Sequence, residues 1–332
     1  MPLKEKSLVR RIRVAAERPG TRAGIGIGDD CAVLRLPRGH EALVTTDFTL
    51  EGVHFRREWH PPDSVGHRCL TRGLSDIAAM GGIPHAAFLS LALPPDLPQK
   101  WVDGFVAGFL KLADRYSVTL AGGDTAQSRD GVLADIVVLG SVPAGKAILR
   151  SGAKPGDVIY VTGTLGSALA ALNRLREGET LRPKSYSKHF YPEPRLAVGQ
   201  FLREKMLASA MIDISDGLST DLNHICEESR VGAVISADAL PVDFHRRATD
   251  TQWTQTGRDK SSLLKDALKL ALHGGEEYEL LFTARPDRRI PMQFAGVSIT
   301  QIGEIVPGQQ MRLTRPGEKS EILKAAGWQH FG

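Results

Sequence analysis

Apolar positions alternate between helical and extended spacing from one end of the chain to the other, which predicts strands and helices mixed within each region. Leu8, Ile12 and Ala15/Ala16 predict a helix over Ser7 to Glu17. The runs Cys31 to Leu36 and Leu43 to Phe48, joined by Pro37-Arg38-Gly39-His40, predict a hairpin. Asp63 and Ser64, behind Pro61-Pro62, are N-cap candidates for a helix that runs to Met80 and is stopped by Gly81-Gly82 and Pro84. Val65, Cys69, Ile77 and Met80 line its apolar face, and Asp76 falls in the same sector. A carboxylate there must find a partner, such as Arg72, because an unpaired buried charge costs several kcal/mol.

Strands are predicted over Ala86 to Leu93, Val118 to Ala121 and Val132 to Val142, with a helix over Leu97 to Tyr116. The apolar pattern breaks between Pro143 and Asp157, which places an N-terminal domain at 1–143 and a C-terminal domain at 144–332. The second domain reads as strands Val158 to Thr162, Ala208 to Ile212, Val231 to Ser236, Tyr278 to Thr283 and Val297 to Ile305. Between them fall helices over Leu165 to Arg176, Pro192 to Lys205, Leu218 to Glu228 and Leu263 to Leu272. Gly178 to His189 reads as a polar, basic, flexible loop, and His245 to Lys260 as an insertion without periodicity.

Composition narrows the class. A chain of 332 residues, 42% of them hydrophobic, can bury two cores. The N-terminus lacks the apolar centre of a signal peptide and no run reaches membrane-spanning length, so a cytoplasmic location is expected. Cys31, Cys69 and Cys226 are too scattered for a disulfide framework or a zinc site and read as small core residues. The net charge of +4 is spread among acidic residues rather than gathered in a block. That argues against nucleic acid and is satisfied by anionic small molecules.

The chemistry lies in apolar runs that end in Asp. They are Gly26-Ile27-Gly28-Asp29-Asp30, Thr45-Thr46-Asp47, Gly122-Gly123-Asp124 and Ile212-Asp213-Ile214-Ser215-Asp216-Gly217. Singly, each is a turn or a cap. Together, Asp30, Asp47, Asp76, Asp124, Asp213 and Asp216, with Thr45, Thr46 and Ser215 beside them, form a hard-oxygen donor set. Such a set suits Mg²⁺, which takes carboxylate oxygens at about 2.0–2.1 Å and keeps positions for water and phosphates. Phosphoryl transfer fits this set best. No P-loop is present, and Asp29 replaces the third glycine of a dinucleotide fingerprint after Gly24-Ile25-Gly26-Ile27-Gly28. Serine-elbow, zincin and EF-hand spacings are missing too. Ser215-Asp216-Gly217 would stand at a helix N-terminus, which favours bound anions. Arg150 could pair bidentately with phosphate, and Trp328 could stack on a ring.

The motifs GIGDDCAVL, TTD, GVHF, LSDIAAMGG-P, GGDT, RSGAKPGD, VTGTLG, IDISDGL, HGGEEYELLF and GW-x-H-F follow one another along nearly the whole chain. In this order they resemble the thiamine-monophosphate kinase family. That family shares a superfamily with aminoimidazole ribonucleotide synthetase, selenophosphate synthetase and a hydrogenase-maturation protein. The resemblance implies Mg²⁺ ligation by Asp30, Thr45, Thr46, Asp47, Asp76, Asp124, Asp213 and Asp216. It implies ATP contacts from Gly123, Asp124, Arg150 and Ser215, substrate contacts from His54, Glu276 and Trp328, and catalytic weight on Asp47, Asp124 and Asp213. Glu277 departs from the family pattern, which has Asp there.

The implied fold is α/β (α+β), with an N-terminal mixed-sheet domain forming a dimer-spanning barrel and a C-terminal α/β domain. The implied activity is ATP-dependent phosphorylation of thiamine monophosphate by a homodimer, with several Mg²⁺ ions and neither nucleic acid nor membrane as partner. Aminoimidazole ribonucleotide synthetase chemistry and non-catalytic metal–nucleotide binding are the alternatives. The cysteines that the other two relatives would need, near the N-terminus and at the C-terminus, are missing.

Overall fold

The computed structural model describes residues 5–17, 23–25, 27, 31–242 and 260–330. Asp29, Asp30 and the insertion at 245–259 lie outside the described residues. The chain divides into two compact units, one of residues 1–78, 82–147 and 190–196, the other of 79–81, 148–189 and 197–332.

The first unit contains α1 (Glu5–Ala16), β1 (Ala23–Ile25), β2 (Val33–Leu34), β3 (His40–Leu50), α2 (Pro62–Ala79), β4 (Ile83–Leu93), α3 (Gln99–Arg115), β5 (Thr119–Gln127) and β6 (Leu133–Pro143). Its main sheet has four strands in the order β3-β6-β4-β5. The first two pairings are antiparallel, and β4–β5 is parallel, with α3 as the crossover. Alternation sets the facing of β3: Leu43 and Thr49 are buried, while Val44, Thr46 and Phe48 are exposed. From α2, Val65, Cys69, Leu70, Leu74 and Ile77 are buried; Phe105, Phe109 and Leu112 of α3 join them in the core.

Two expectations are corrected here. The hairpin between 31–36 and 43–48 does not form: β2 pairs back with β1, and β3 pairs with β6 along its whole length. The long β-branched run of β6 offers β3 far more ladder bonds than the two residues of β2 can. Nor, among the described residues, does any sheet close into a barrel: β3 and β5 remain opposite edges of an open four-stranded sheet. Closure requires the two edges to pair, and these do not.

The second unit contains β7 (Val158–Thr162), α4 (Ser167–Arg176), α5 (Ser187–Phe190), α6 (Leu196–Glu204), β8 (Ala210–Asp213), α7 (Leu218–Ser229) and β9 (Gly232–Ser236). It continues through α8 (Lys260–His273), β10 (Leu280–Ala284), β11 (Gln293–Phe294), β12 (Val297–Val306), β13 (Met311–Thr314) and β14 (Glu321–Ile322). The sheet runs β14-β13-β9-β12-β7-β10-β8, with β11 added beside β12. Ile159, Val161, Ile212, Leu281 and Ile235 from the strands pack with Leu218, Leu222 and Ile225 of α7 in the core. Cys69 and Cys226 are core residues, their thiols pushed up to about 12 mainly by burial, whereas Cys31 is exposed. Among the described residues no helix is long and apolar enough to cross a membrane.

The segment 178–189, expected as a flexible loop, is anchored instead. Arg174 clasps Glu179 through two nitrogens and donates to Tyr186 Oη. Lys188 donates to both oxygens of Thr164 and, at 3.2 Å, to Glu279 Oε1. Glu279 is fully buried, and its other oxygen accepts from Thr162 Oγ1 at 2.7 Å. Removing one partner of such a pair strands the other charge, so Lys188→Met is expected to cost about 3–5 kcal/mol. Pairing it with Glu279→Gln should recover part of that loss. Denaturant unfolding checks both; an unaltered midpoint in Lys188→Met would contradict the anchoring role.

Candidate active site

On β3, side chains at 45 and 47 face α2 while those at 44, 46 and 48 face away, so the Thr-Thr-Asp motif is split between the two faces of the sheet. Thr45 Oγ1 donates to Asp76 Oδ2 on α2. Arg72, one turn earlier on α2, brings Nη2 to 2.9 Å from Asp47 Oδ1. Asp76 thus has Thr45 as a partner, and Arg72 reaches Asp47.

The opposite face carries Thr46 and Asp124. Thr46 Oγ1 donates to Asp135 Oδ1 of β6 at 2.9 Å. Registers align Phe48 with Asp135, Asp135 with Ser90, and Ser90 with Asp124. Asp135 and Asp124 are therefore two strand spacings apart, roughly 10 Å. Asp124 is exposed and accepts the Thr125 N–H at 2.8 Å. Gly123 before it has φ 148°, and a Cβ there would lie 1.8 Å from the Leu89 carbonyl oxygen. Only glycine permits this approach. Asp47 and Asp124 stand on opposite edges and opposite faces of one sheet, so the structure does not bring them together. His54 follows β3 and is turned inward: its Nδ1 accepts the Leu50 N–H at 3.0 Å, and Arg68 Nη2 donates to its carbonyl.

The second unit gathers more of the set. β8 ends at the buried Asp213, and the chain turns through Ser215-Asp216-Gly217 into α7. This turn runs beside the Gly-Gly-Glu-Glu segment: Glu276 N–H donates to Ser215 O at 2.7 Å, and Tyr278 N–H to Ile214 O at 2.9 Å. Glu276 and Tyr278 adopt φ of 59° and 51°, a left-handed conformation that costs side-chain-bearing residues on the order of 1 kcal/mol or more. The C-terminal motif closes on the same turn. Trp328 N–H donates to Asp216 O at 2.9 Å, and a Cβ on Gly327 would meet that oxygen at 2.1 Å. The Trp328 indole is 45% exposed and meets His330 edge-on. Ser215, Asp216, Glu276 and Trp328 are therefore neighbours. Arg150 is exposed and borders the other end of β8, where Met211 N–H donates to Leu149 O.

The sequence reading missed Asp221. Buried on the first turn of α7, it accepts the Asp216 and Gly217 N–H groups at 3.2 and 3.0 Å. Two of the helix-terminal amides expected to attract an anion are thus already occupied. An Asp in a first helical turn is the available signal, and it is a common one. Burial, then the charges of Asp213 and Asp216, push the Asp221 carboxyl up to about 8. Asp216, Asp221 and His224 bring ligand atoms within 4.8 Å of one another. A crowd of carboxylates that raises its own proton affinity fits a divalent cation, and the Thr45, Asp47 and Asp76 set offers the same hard oxygens.

Glu277 is the second glutamate of the same segment. One of its oxygens accepts the Ala168 N–H at 3.0 Å beneath α4, and the other is buried without a hydrogen bond. Burial pushes its carboxyl up to about 7, against the pull of Lys188 and the amide. The folded chain therefore holds this proton more tightly than the unfolded chain, whose value is near 4.5. Its contribution is full below that pH and is lost as pH rises toward 7, by on the order of 3 kcal/mol. Glu277→Gln should flatten this part of the stability profile, gaining on the wild type as pH rises. Urea unfolding from pH 4.5 to 8 checks it; parallel profiles would contradict the burial account.

Comparison with known proteins identifies the arrangement. The family described as AIR synthase related protein, N-terminal domain, matches residues 28–142, and its C-terminal domain matches residues 154–315. A thiamine-monophosphate kinase of Salmonella typhimurium is 40% identical over 292 residues, 84% of this chain and 83% of that protein. The crystal structure of thiamine-monophosphate kinase from Stenotrophomonas maltophilia is 35% identical with a TM-score of 0.78, covering 94% of this chain and 97% of its own. A structure of AaThiL complexed with AMPPCP and TMP is 29% identical with a TM-score of 0.76, covering 99% of each chain. With both AIR synthase related domains matched and curated relatives of this identity, the chain belongs to the thiamine-monophosphate kinase family.

Proposed function

We propose that this chain is an ATP-dependent kinase that passes the γ-phosphoryl group of ATP to the phosphate of thiamine monophosphate, giving thiamine diphosphate and ADP. Family membership supports the reading, as does the relative solved with AMPPCP and TMP. Within the chain, the observation that carries it is the meeting of Trp328, Glu276, Ser215 and Asp216 at one turn of the second unit.

The acceptor monoester has a second pKa of about 6 and is mostly a dianion at pH 7, so no side chain need act as a base. The task of the protein is to hold two anions in line. Mg²⁺ held by Asp30, Thr45, Thr46, Asp47, Asp76, Asp124, Asp213 and Asp216 would neutralise that charge and orient the phosphates. Within the first unit, Thr45, Asp47 and Asp76 lie on one face of the sheet and Thr46 and Asp124 on the other, which accords with more than one ion. Glycine at 123 lets β5 pass the Leu89 carbonyl and present Asp124 outward; Gly123, Arg150 and Ser215 add ATP contacts. His54, whose Nδ1 accepts the Leu50 N–H, is the substrate contact that the family resemblance implies in the first unit. The exposed Trp328 indole offers a π-face to the cationic thiazolium, worth roughly 0.5–2 kcal/mol.

The working protein is a homodimer in the cytoplasm. Edge strand β3, with exposed Val44 and Phe48, supports self-association, and mass by light scattering tests it.

An ADP-release assay with thiamine, thiamine monophosphate and formylglycinamidine ribonucleotide tests the activity. Release with thiamine monophosphate alone is expected; equal rates with free thiamine would contradict it. Asp47→Asn is expected to lower turnover by orders of magnitude in a folded protein. Trp328→Ala should raise KM for thiamine monophosphate and leave KM for ATP nearly unchanged. Because the indole is half exposed, its unfolding midpoint should move by no more than an ordinary surface change, about 0.5 kcal/mol. Parallel losses in both KM values with a large fall in Tm would contradict the stacking role.

A further inference from the structure

In the first unit a guanidinium already sits against one of the carboxylates read above as a cation ligand. Arg72 leaves α2 between the buried Thr71 and Leu74, so its backbone is fixed by the core. That side chain is 11% exposed, and Nη2 stands 2.9 Å from Asp47 Oδ1. Thr45, two residues before Asp47 on the same face, holds Asp76, and Asp76 lies one helical turn after Arg72. One arginine and two carboxylates thus share this face of β3.

We propose that Arg72 is the resident counter-charge of Asp47 in the cation-free chain and competes with the divalent cation for that carboxylate. The inference rests on the reading of Asp47 as a cation ligand. An arginine cannot neutralise itself by losing its proton. Counted over Arg72, Asp47 and Asp76, the face carries a net single negative charge with the guanidinium in place and a double one without it. A divalent cation matches the second state. Its arrival puts two cations on one half-buried carboxylate, and the guanidinium must turn away. Arg72 therefore keeps the empty face from charging up and sets the cation concentration at which it fills. It acts through Asp47, as a positioning residue.

The test uses Mn²⁺ alone as probe and the full chain. Calorimetric titration is run on the wild type, Arg72→Gln, Arg72→Lys, Asp47→Asn and the Arg72→Gln/Asp47→Asn double variant, with thermal unfolding of each in the presence and absence of Mn²⁺. Arg72→Gln is expected to lower Tm without metal, to tighten Mn²⁺ binding about tenfold and to enlarge the Mn²⁺-induced rise in Tm. Arg72→Lys, which keeps the charge but loses the fork, should tighten binding about threefold, and it carries the test should the glutamine variant not fold. In the Asp47→Asn background the tightening should vanish. Unchanged or weaker Mn²⁺ binding in the arginine variants, where Asp47→Asn weakens it, would overturn the competition and leave Asp47 as a ligand. Unchanged binding in Asp47→Asn would overturn both the ligand reading and this inference.

Discussion

Like charges held close by rigid backbone are the constraint on which the rest of the molecule depends. In the second unit, Asp213 ends a buried strand, Asp216 lies in the following turn, and Asp221 is locked to that turn by two amide hydrogen bonds. These carboxylates crowd one another, and burial together with the charges of Asp213 and Asp216 pushes the Asp221 carboxyl up to about 8. In the first unit the same problem is met by pairing, Thr45 with Asp76 and Arg72 with Asp47. The two solutions differ because α2 supplies an arginine at the right turn and α7 supplies another acid.

The rest of the architecture serves to keep these groups where they are. Turn 215–217 is clamped on one side by the Gly-Gly-Glu-Glu segment and on the other by Gly327-Trp328. The clamp requires left-handed backbone at Glu276 and Tyr278, a cost sustained by the buried Tyr278 ring and by the β8–β10 ladder next to it. The Lys188–Glu279 pair ties the 178–189 segment to the strand that follows the clamp. Order in the site is thus bound to long-range contacts in the core of its own unit.

Much of this was legible in the sequence because strand and helix periods are local. The strand over 132–142, the helices over 63–80 and 97–116, and the boundary of most second-unit elements follow from apolar spacing alone. Strand partnership was not legible: β3 follows its expected partner after only five residues and pairs instead with β6, a choice set by ladder length and burial. The order of 178–189 could not be read either, since a polar, basic stretch looks mobile until Lys188 meets a buried acid ninety-one residues away. Among the site residues, the grouping of Ser215, Asp216, Glu276 and Trp328 joins motifs far apart in sequence, which spacing cannot reveal. The split of Thr45 and Asp47 from Thr46 follows from strand alternation and was within reach. Asp221 was hidden by the ordinariness of an acid in a first helical turn.

The central claim is a direct transfer between two phosphates, and the fate of the γ-phosphorus decides it. ATP carrying a radiolabelled γ-phosphoryl group is mixed with excess enzyme, Mg²⁺ and thiamine monophosphate for a single turnover. The account expects the label in the terminal phosphate of thiamine diphosphate, with none passing first into inorganic phosphate. Label recovered as inorganic phosphate at the rate of ADP formation would contradict it and favour a synthetase that spends ATP without keeping its phosphate.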